Sequence, residues 1–193
     1  MHVDKCEECG KATSGYDSVN YGSIESGYRH LCTHCFNEAA ADLHGLADFE
    51  NIRLEPVCIT DCAGITHQFH FQTRLLGTIL SMEAFELVDG YPGGYQFQIC
   101  GDPEEDLFVL LGKLIQKVRR SLAVRHIEDG QYGLQVIDDI VRGRIECDID
   151  ADEHSPLVVV DGREISWEEF GHMLMSFEGW QFKLEIRDPS DEV

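Results

Sequence analysis

The fold is decided by CEECGK at residues 6–11, read together with LCTHCFNEAAADLHG at residues 31–45. Each stretch holds a Cys-x-x-Cys pair, Cys6/Cys9 and Cys32/Cys35, and each pair can set two thiolates on one side of a tight turn. Two such pairs close a tetrahedral four-cysteine site of the kind zinc prefers. Gly10 supplies the turn after the second ligand. Beyond Cys35, the residues Phe36, Ala39, Ala40 and Leu43 fall at i, i+3, i+4 and i+7, which predicts a helix stopping at Gly45. Cys32 and Cys35 then lie at its first turn, where free N–H groups favour thiolate. Residues 13–31, with glycines at 15, 22 and 27, suit an irregular hairpin that returns Leu31 and Cys32 to the knuckle.

Knuckle, hairpin and a helix whose start carries the second pair resemble the treble-clef zinc fingers over residues 3–46. A zinc ribbon, with the second pair on another hairpin, is the alternative. Four thiolates saturate zinc and leave no open position for water or substrate, so one structural zinc per chain is expected on Cys6, Cys9, Cys32 and Cys35. Such ligation contributes folding energy on the order of 10 kcal/mol in small zinc peptides. His30 and His34 flank the second pair and are read as supporting or surface residues. Neither zinc class implies an activity. As a whole the chain also resembles hypothetical bacterial proteins of unassigned function, which adds no chemistry.

The 193 residues, 43% of them hydrophobic, suffice for one ordinary domain beside a small metal-built module. The expected layout is a zinc module over 1–46, a linker over 47–57 ending near Pro56, an α+β domain over 58–188 and a frayed acidic tail over 189–193. The formal charge is −21; residues 1–50 carry 9 acidic and 3 basic groups, residues 151–193 carry 11 and 3. This surface repels phosphate backbones and acidic membranes, which argues against direct nucleic-acid binding and against a membrane partner. MHVDKCEE contains no apolar run of the export kind, and Leu107 to Leu111 and Leu157 to Val160 are too short to span a bilayer. Eight cysteines, four of them in Cys-x-x-Cys spacing, read as reduced metal-binding thiols and not as a disulfide scaffold. The expectation is a cytoplasmic protein.

The large domain reads as α+β, with a mainly antiparallel sheet packed against one long and one short helix. Alternation from His67 to Leu75 predicts a half-buried strand, and Ile79 to Val88 fits either a strand or a short helix. A Gly-Tyr-Pro-Gly-Gly turn at 90–94 should precede a strand over Tyr95 to Cys100. The long helix is expected over 103–126, with Asp102 as N-cap, Glu105 completing its box and Leu107, Leu111, Leu114, Val118 and Leu122 as its apolar stripe. Ile140 to Asp150 alternates like a strand, burying Val141, Ile145, Cys147 and Ile149. Leu157 to Ile165 forms a hairpin around Asp161-Gly162, and Ser166 with Glu169 starts a short helix. Trp180, Phe182, Leu184 and Ile186 alternate with Gln181, Lys183, Glu185 and Arg187, which predicts a last strand.

The chemistry outside the finger is sparse. Cys58, Cys62, His67 and His70 are zinc-binding types, but on a strand the two histidines point to opposite faces. Asp61, His67, His70, Glu83 and Glu86 make a loose acid/base set. No HExxH, GxSxG, Walker A or GxGxxG motif is present. The best reading is a zinc-stabilised acidic interaction or adaptor protein whose partner is a protein, a second copy of itself included. One alternative is a metal-dependent hydrolase with a second site near Cys58, Cys62, His67 and His70. Another is a nucleic-acid-directed regulator working through Lys113, Lys117 and Arg120, or a nucleic-acid mimic.

Overall fold

The computed structural model describes residues 4–25, 27–131, 133–148 and 155–191. Two short strands, β1 (Asp4–Lys5) and β2 (Ala12–Thr13), flank the first cysteine pair, and the hairpin of β3 (Ser18–Ser23) and β4 (Gly27–Cys32) leads into helix α1 (Thr33–His44). Strand passes directly into helix, with Cys32 in extended backbone at the N-cap. Gly45 ends α1 in the left-handed region at φ 70°, where its N–H returns to the Ala41 carbonyl. The helix and its stop stand where the periodicity places them, but its buried face is rotated. Asn37 and Ala41 are buried, whereas Leu43 is exposed.

Four antiparallel strands follow, in spatial order β5 (Val57–Thr60), β6 (Thr66–Leu76), β7 (Ile79–Val88) and β8 (Tyr91–Gly101). Residues 79–88 are therefore a strand. The β7–β8 turn is Asp89–Gly90, with φ 53° and 85°, as a two-residue primed hairpin turn requires. Pro92, Gly93 and Gly94, expected in that turn, already belong to β8. A register shift between Phe85 and Glu86 bulges this pairing.

Helix α2 (Leu107–Leu122) covers one face of the sheet, setting Leu107, Leu110, Leu114, Val118 and Leu122 on Phe69, Leu80, Met82, Ala84 and Ile99. It is shorter than the expected 103–126. Asp106 is the N-cap, accepting the Phe108 N–H at 2.7 Å, while Asp102 closes its own turn through the Glu104 N–H at 2.9 Å. Two capping aspartates compete here, and the later one puts Leu107 directly into the core. At the other end the Leu122 carbonyl accepts the Cys62 N–H at 2.9 Å.

The remaining strands form a hairpin, β9 (Ile127–Gly130) with β10 (Gly133–Val136), and a three-stranded sheet of β11 (Gly143–Cys147), β12 (Pro156–Val160) and β13 (Arg163–Ser166). With helix α3 (Trp167–Leu174) they enclose a core of Ile127, Val158, Val160, Ile165 and Met173. The Asp161–Gly162 turn is present, and Ser166 Oγ accepts the Glu169 N–H at 3.1 Å. Gly162 lies so close to Tyr95 that a Cβ would sit 2.9 Å from the ring, which seats this turn on β8.

Two expectations fail in this region. In β11 the buried face is the polar one. Ile145 is exposed, while half-buried Arg144 and Glu146 pair at 2.7 Å and Arg144 reaches the Gly94 carbonyl. Ile149 and Asp150, the expected end of that strand, lie outside the described residues. Residues 180–187 form no strand, since among the described residues no strand lies beside them to pair with.

Candidate metal centre

The knuckle around Cys6 is built by its own backbone. Cys6 N–H donates to the Lys11 carbonyl at 3.0 Å and Gly10 N–H returns to the Cys6 carbonyl at 2.9 Å. Glu7 ties this knuckle to β4 twice, through its N–H to the His30 carbonyl at 2.9 Å and its carboxylate to the His30 N–H at 3.0 Å. The result brings one sulfur from each of Cys6, Cys9, Cys32 and Cys35 to within 4.8 Å of all the others. Cys9 and Cys32 Sγ stand 4.0 Å apart. In a tetrahedral zinc–thiolate site with Zn–S of about 2.3 Å, the sulfurs stand roughly 3.8 Å apart, so this donor set fits. Cys6, Cys32 and Cys35 are buried beside Leu31 and Phe36; Cys9 is exposed.

Electrostatics make the cluster a poor set of bare thiols and a good set of ligands. Burial raises Cys35 and Cys32, and crowding by the neighbouring sulfurs raises Cys35 further. Burial also pushes Cys6 up, but N–H groups of Cys9, Cys32 and Glu8 outweigh it and bring that thiol down to about 6. The Cys6 thiolate is therefore stabilised by backbone, whereas the raised Cys32 and Cys35 thiols need a cation beside them to ionise. His30 and His34 stand outside the cluster; His30 meets Asn20 at 3.3 Å and His34 meets Glu38 at 3.2 Å.

The finger is joined to the sheet by buried polar bonds. Asn37 on α1 donates to the Thr73 carbonyl and accepts the Leu75 N–H, both at 2.9 Å. Gln72 reaches Thr33 Oγ and the Tyr16 carbonyl, both at 2.9 Å. Tyr16 meets Phe85 edge-on at 5.5 Å. In the sequence Asn37 stands out only as part of a helix. A polar residue beside Phe36 on its buried face is the one signal of its role.

Cys58, Cys62, His67 and His70 do not gather. Both cysteines are exposed, and the two histidines take opposite faces of β6, His67 meeting the Tyr95 ring at 5.1 Å and His70 stacking on Phe85 at 6.3 Å. Among the described residues the four finger cysteines are the one group able to hold a metal ion. From the acid/base set the fold brings together Asp61, His67 and Glu86, leaving Glu83 beside Arg74 at 3.6 Å. His67 Nδ1 lies 2.9 Å from Glu86 and Nε2 3.4 Å from Asp61, so neither ring nitrogen is left free for a metal. Asp61 is pushed up by burial, yet the Ile65 and Ala63 N–H groups and His67 hold its carboxyl below the usual range. Glu86 also accepts the Tyr95 N–H at 2.9 Å, and burial with the nearby Asp161, Asp61 and Glu86 charges raises the Tyr95 phenol.

The basic row on α2 is broken by its middle member. Lys117 is 7% exposed and donates to the carbonyls of Gln98 at 3.2 Å, Pro189 at 2.9 Å and Asp191 at 2.5 Å. Lys113 pairs with Glu105 at 3.0 Å. No helix among the described residues is long and apolar enough to cross a membrane.

An α+β chain with a four-cysteine cluster near its N-terminus is the class defined by this fold and site. Three successive segments match family models, each described as a domain of unknown function: residues 5–47 (DUF7685), 50–123 (DUF7686) and 126–191 (DUF7713). No curated protein and no solved structure matches the chain.

Proposed function

We propose that this is a zinc-stabilised interaction protein, in which Cys6, Cys9, Cys32 and Cys35 hold one structural zinc ion and the acidic surface recruits a protein partner. The carrying observation is the closed set of four sulfurs, three of them buried, on a finger bonded into the sheet through Asn37. The ion would complete the finger's small core and leave no coordination site for a substrate. A knuckle, a hairpin and a helix carrying the second pair at its start support the treble-clef form over the zinc ribbon. A cytoplasmic, reducing setting keeps such thiols available for metal. With a formal charge of −21, a basic partner is steered towards the surface and its complex weakens as salt rises.

Zinc-edge X-ray absorption tests the site. Four sulfurs at about 2.3 Å are expected. A nitrogen or oxygen atom bound to the zinc contradicts the closed site. Salt titration of a captured complex tests the surface, and a salt-insensitive complex contradicts its electrostatic part.

A further inference from the structure

Residues 180–187 leave four large apolar side chains in water. Trp180 is 67% exposed, Phe182 93%, Leu184 73% and Ile186 71%. Lys183 and Arg187 both pair with Glu185 across two-residue steps, which sets those three on one side, as alternate residues of an extended chain lie. Among the described residues, none of the backbone N–H and C=O groups of 181–187 has a backbone partner. The segment is held at both ends. Trp180 N–H donates to the Phe177 carbonyl at 2.9 Å, and Lys117 grips the Pro189 and Asp191 carbonyls. A tethered, unpaired segment with its apolar side chains on one side is a template for pairing with another chain.

The charge pattern says which chain. We propose that residues 180–187 pair antiparallel with the same segment of a second copy of this protein. This deepens the reading of an interaction protein and rests on it, naming a second copy as the partner. Apolar side chains can face apolar ones only if opposite residue numbers have the same parity. Of the central registers, centring on Lys183 sets Lys183 against itself, and centring on Glu185 sets Glu185 against itself and Lys183 against Arg187. Centring on Leu184 sets Lys183 opposite Glu185 twice, Phe182 opposite Ile186 twice and Leu184 on its own copy. Opposite charges and aromatic–β-branched pairs are the favourable cross-strand neighbours. The segment carries two basic residues and one acidic residue within a chain of −21, so it is also where two copies repel least.

Sedimentation equilibrium on the zinc-loaded full chain tests this, at about 0.3 M salt to screen the overall repulsion. A concentration-dependent dimer is expected. Leu184→Glu sets two like charges on the two-fold axis and Lys183→Glu sets Glu against Glu185; each should weaken the dimer at least about tenfold. The double variant K183E/E185K restores the opposite charges and should restore the dimer, a result that general damage to the fold does not give. These side chains are exposed, and circular dichroism with zinc content confirms that each variant is folded. A wild-type chain that stays monomeric at about 50 µM overturns the proposal, as does a dimer unaffected by L184E or a double variant as weak as K183E. A monomer with one zinc whose complex with another protein weakens with salt overturns the self-pairing alone, whereas a monomer without such a complex overturns the interaction reading too.

Discussion

The side-chain amide of Asn37 takes the place of a neighbouring strand beside Leu75. Strand β5 pairs with β6 only from Thr66 to Phe69, so the same edge of β6 is open further along. There Asn37 Oδ1 accepts the Leu75 N–H and Nδ2 donates to the Thr73 carbonyl, repeating the pattern a strand would offer. Asn37 is 1% exposed and Leu75 fully buried, so no water can substitute. The helix that begins at two of the clustered cysteines is thereby part of the sheet's edge.

Asn37→Ala leaves a buried donor and a buried acceptor without partners and should cost about 3 kcal/mol in urea unfolding. Asn37→Asp should be destabilising as well, because a carboxylate oxygen then faces the Thr73 carbonyl where an N–H stood. Full stability in both variants would contradict the edge role.

Loss of the metal should be felt in the sheet. The finger's own core consists of Cys6, Leu31, Cys32, Cys35 and Phe36, too little to hold it folded once the sulfurs are released. Chelation, or Cys35→Ser, should therefore speed hydrogen exchange at the Leu75 amide while Met82 and Ile99, in the α2-covered core, stay protected. Unchanged Leu75 exchange on chelation would separate the finger from the sheet.

Asp61 should shape the acid limb of stability. Its carboxyl lies below the ordinary range in the folded protein, with Ile65 and Ala63 N–H groups and His67 overcoming burial. The unfolded chain thus takes up the proton first. The contribution is complete above the unfolded value of about 3.9 and is lost as pH falls through the lower folded value. Asp61→Asn should lower stability at neutral pH and remove this component of the acid limb in denaturant titrations at stepped pH.

Lys117 should hold down the C-terminal segment. Lys117→Met keeps the stem in the core and removes the donors to Pro189 and Asp191. Tryptic cleavage after exposed Lys183 and Arg187 should then rise severalfold, and an unchanged rate would count against the tether.

The parts legible in the sequence are those set by local chemistry. Gly45, the Asp161–Gly162 turn and the Ser166 cap each act within a few residues and each stands as read, and the two Cys-x-x-Cys pairs gather into one cluster able to hold a metal ion. Where two local signals competed, the outcome was decided by packing. Asp102 and Asp106 are both caps, and the core position of Leu107 selected the second; Asp89–Gly90 is a sound hairpin signal hidden beside Pro92, Gly93 and Gly94. Patterns that depend on a distant partner misled. Arg144 and Glu146 turn inward because they find each other and the Gly94 carbonyl, and 180–187 alternates like a strand yet pairs with no strand among the described residues. The roles of Asn37 and Lys117 carry no local signal for the same reason, since the Thr73 carbonyl and Leu75 N–H lie 36 and 38 positions from Asn37, and the Pro189 and Asp191 carbonyls 72 and 74 from Lys117.

Native mass spectrometry of the untagged protein, purified without added metal, tests the central claim most directly. The account predicts one zinc per chain, lost on chelation or in Cys35→Ser. A folded chain without metal, or a second zinc retained by residues outside the finger, would contradict it.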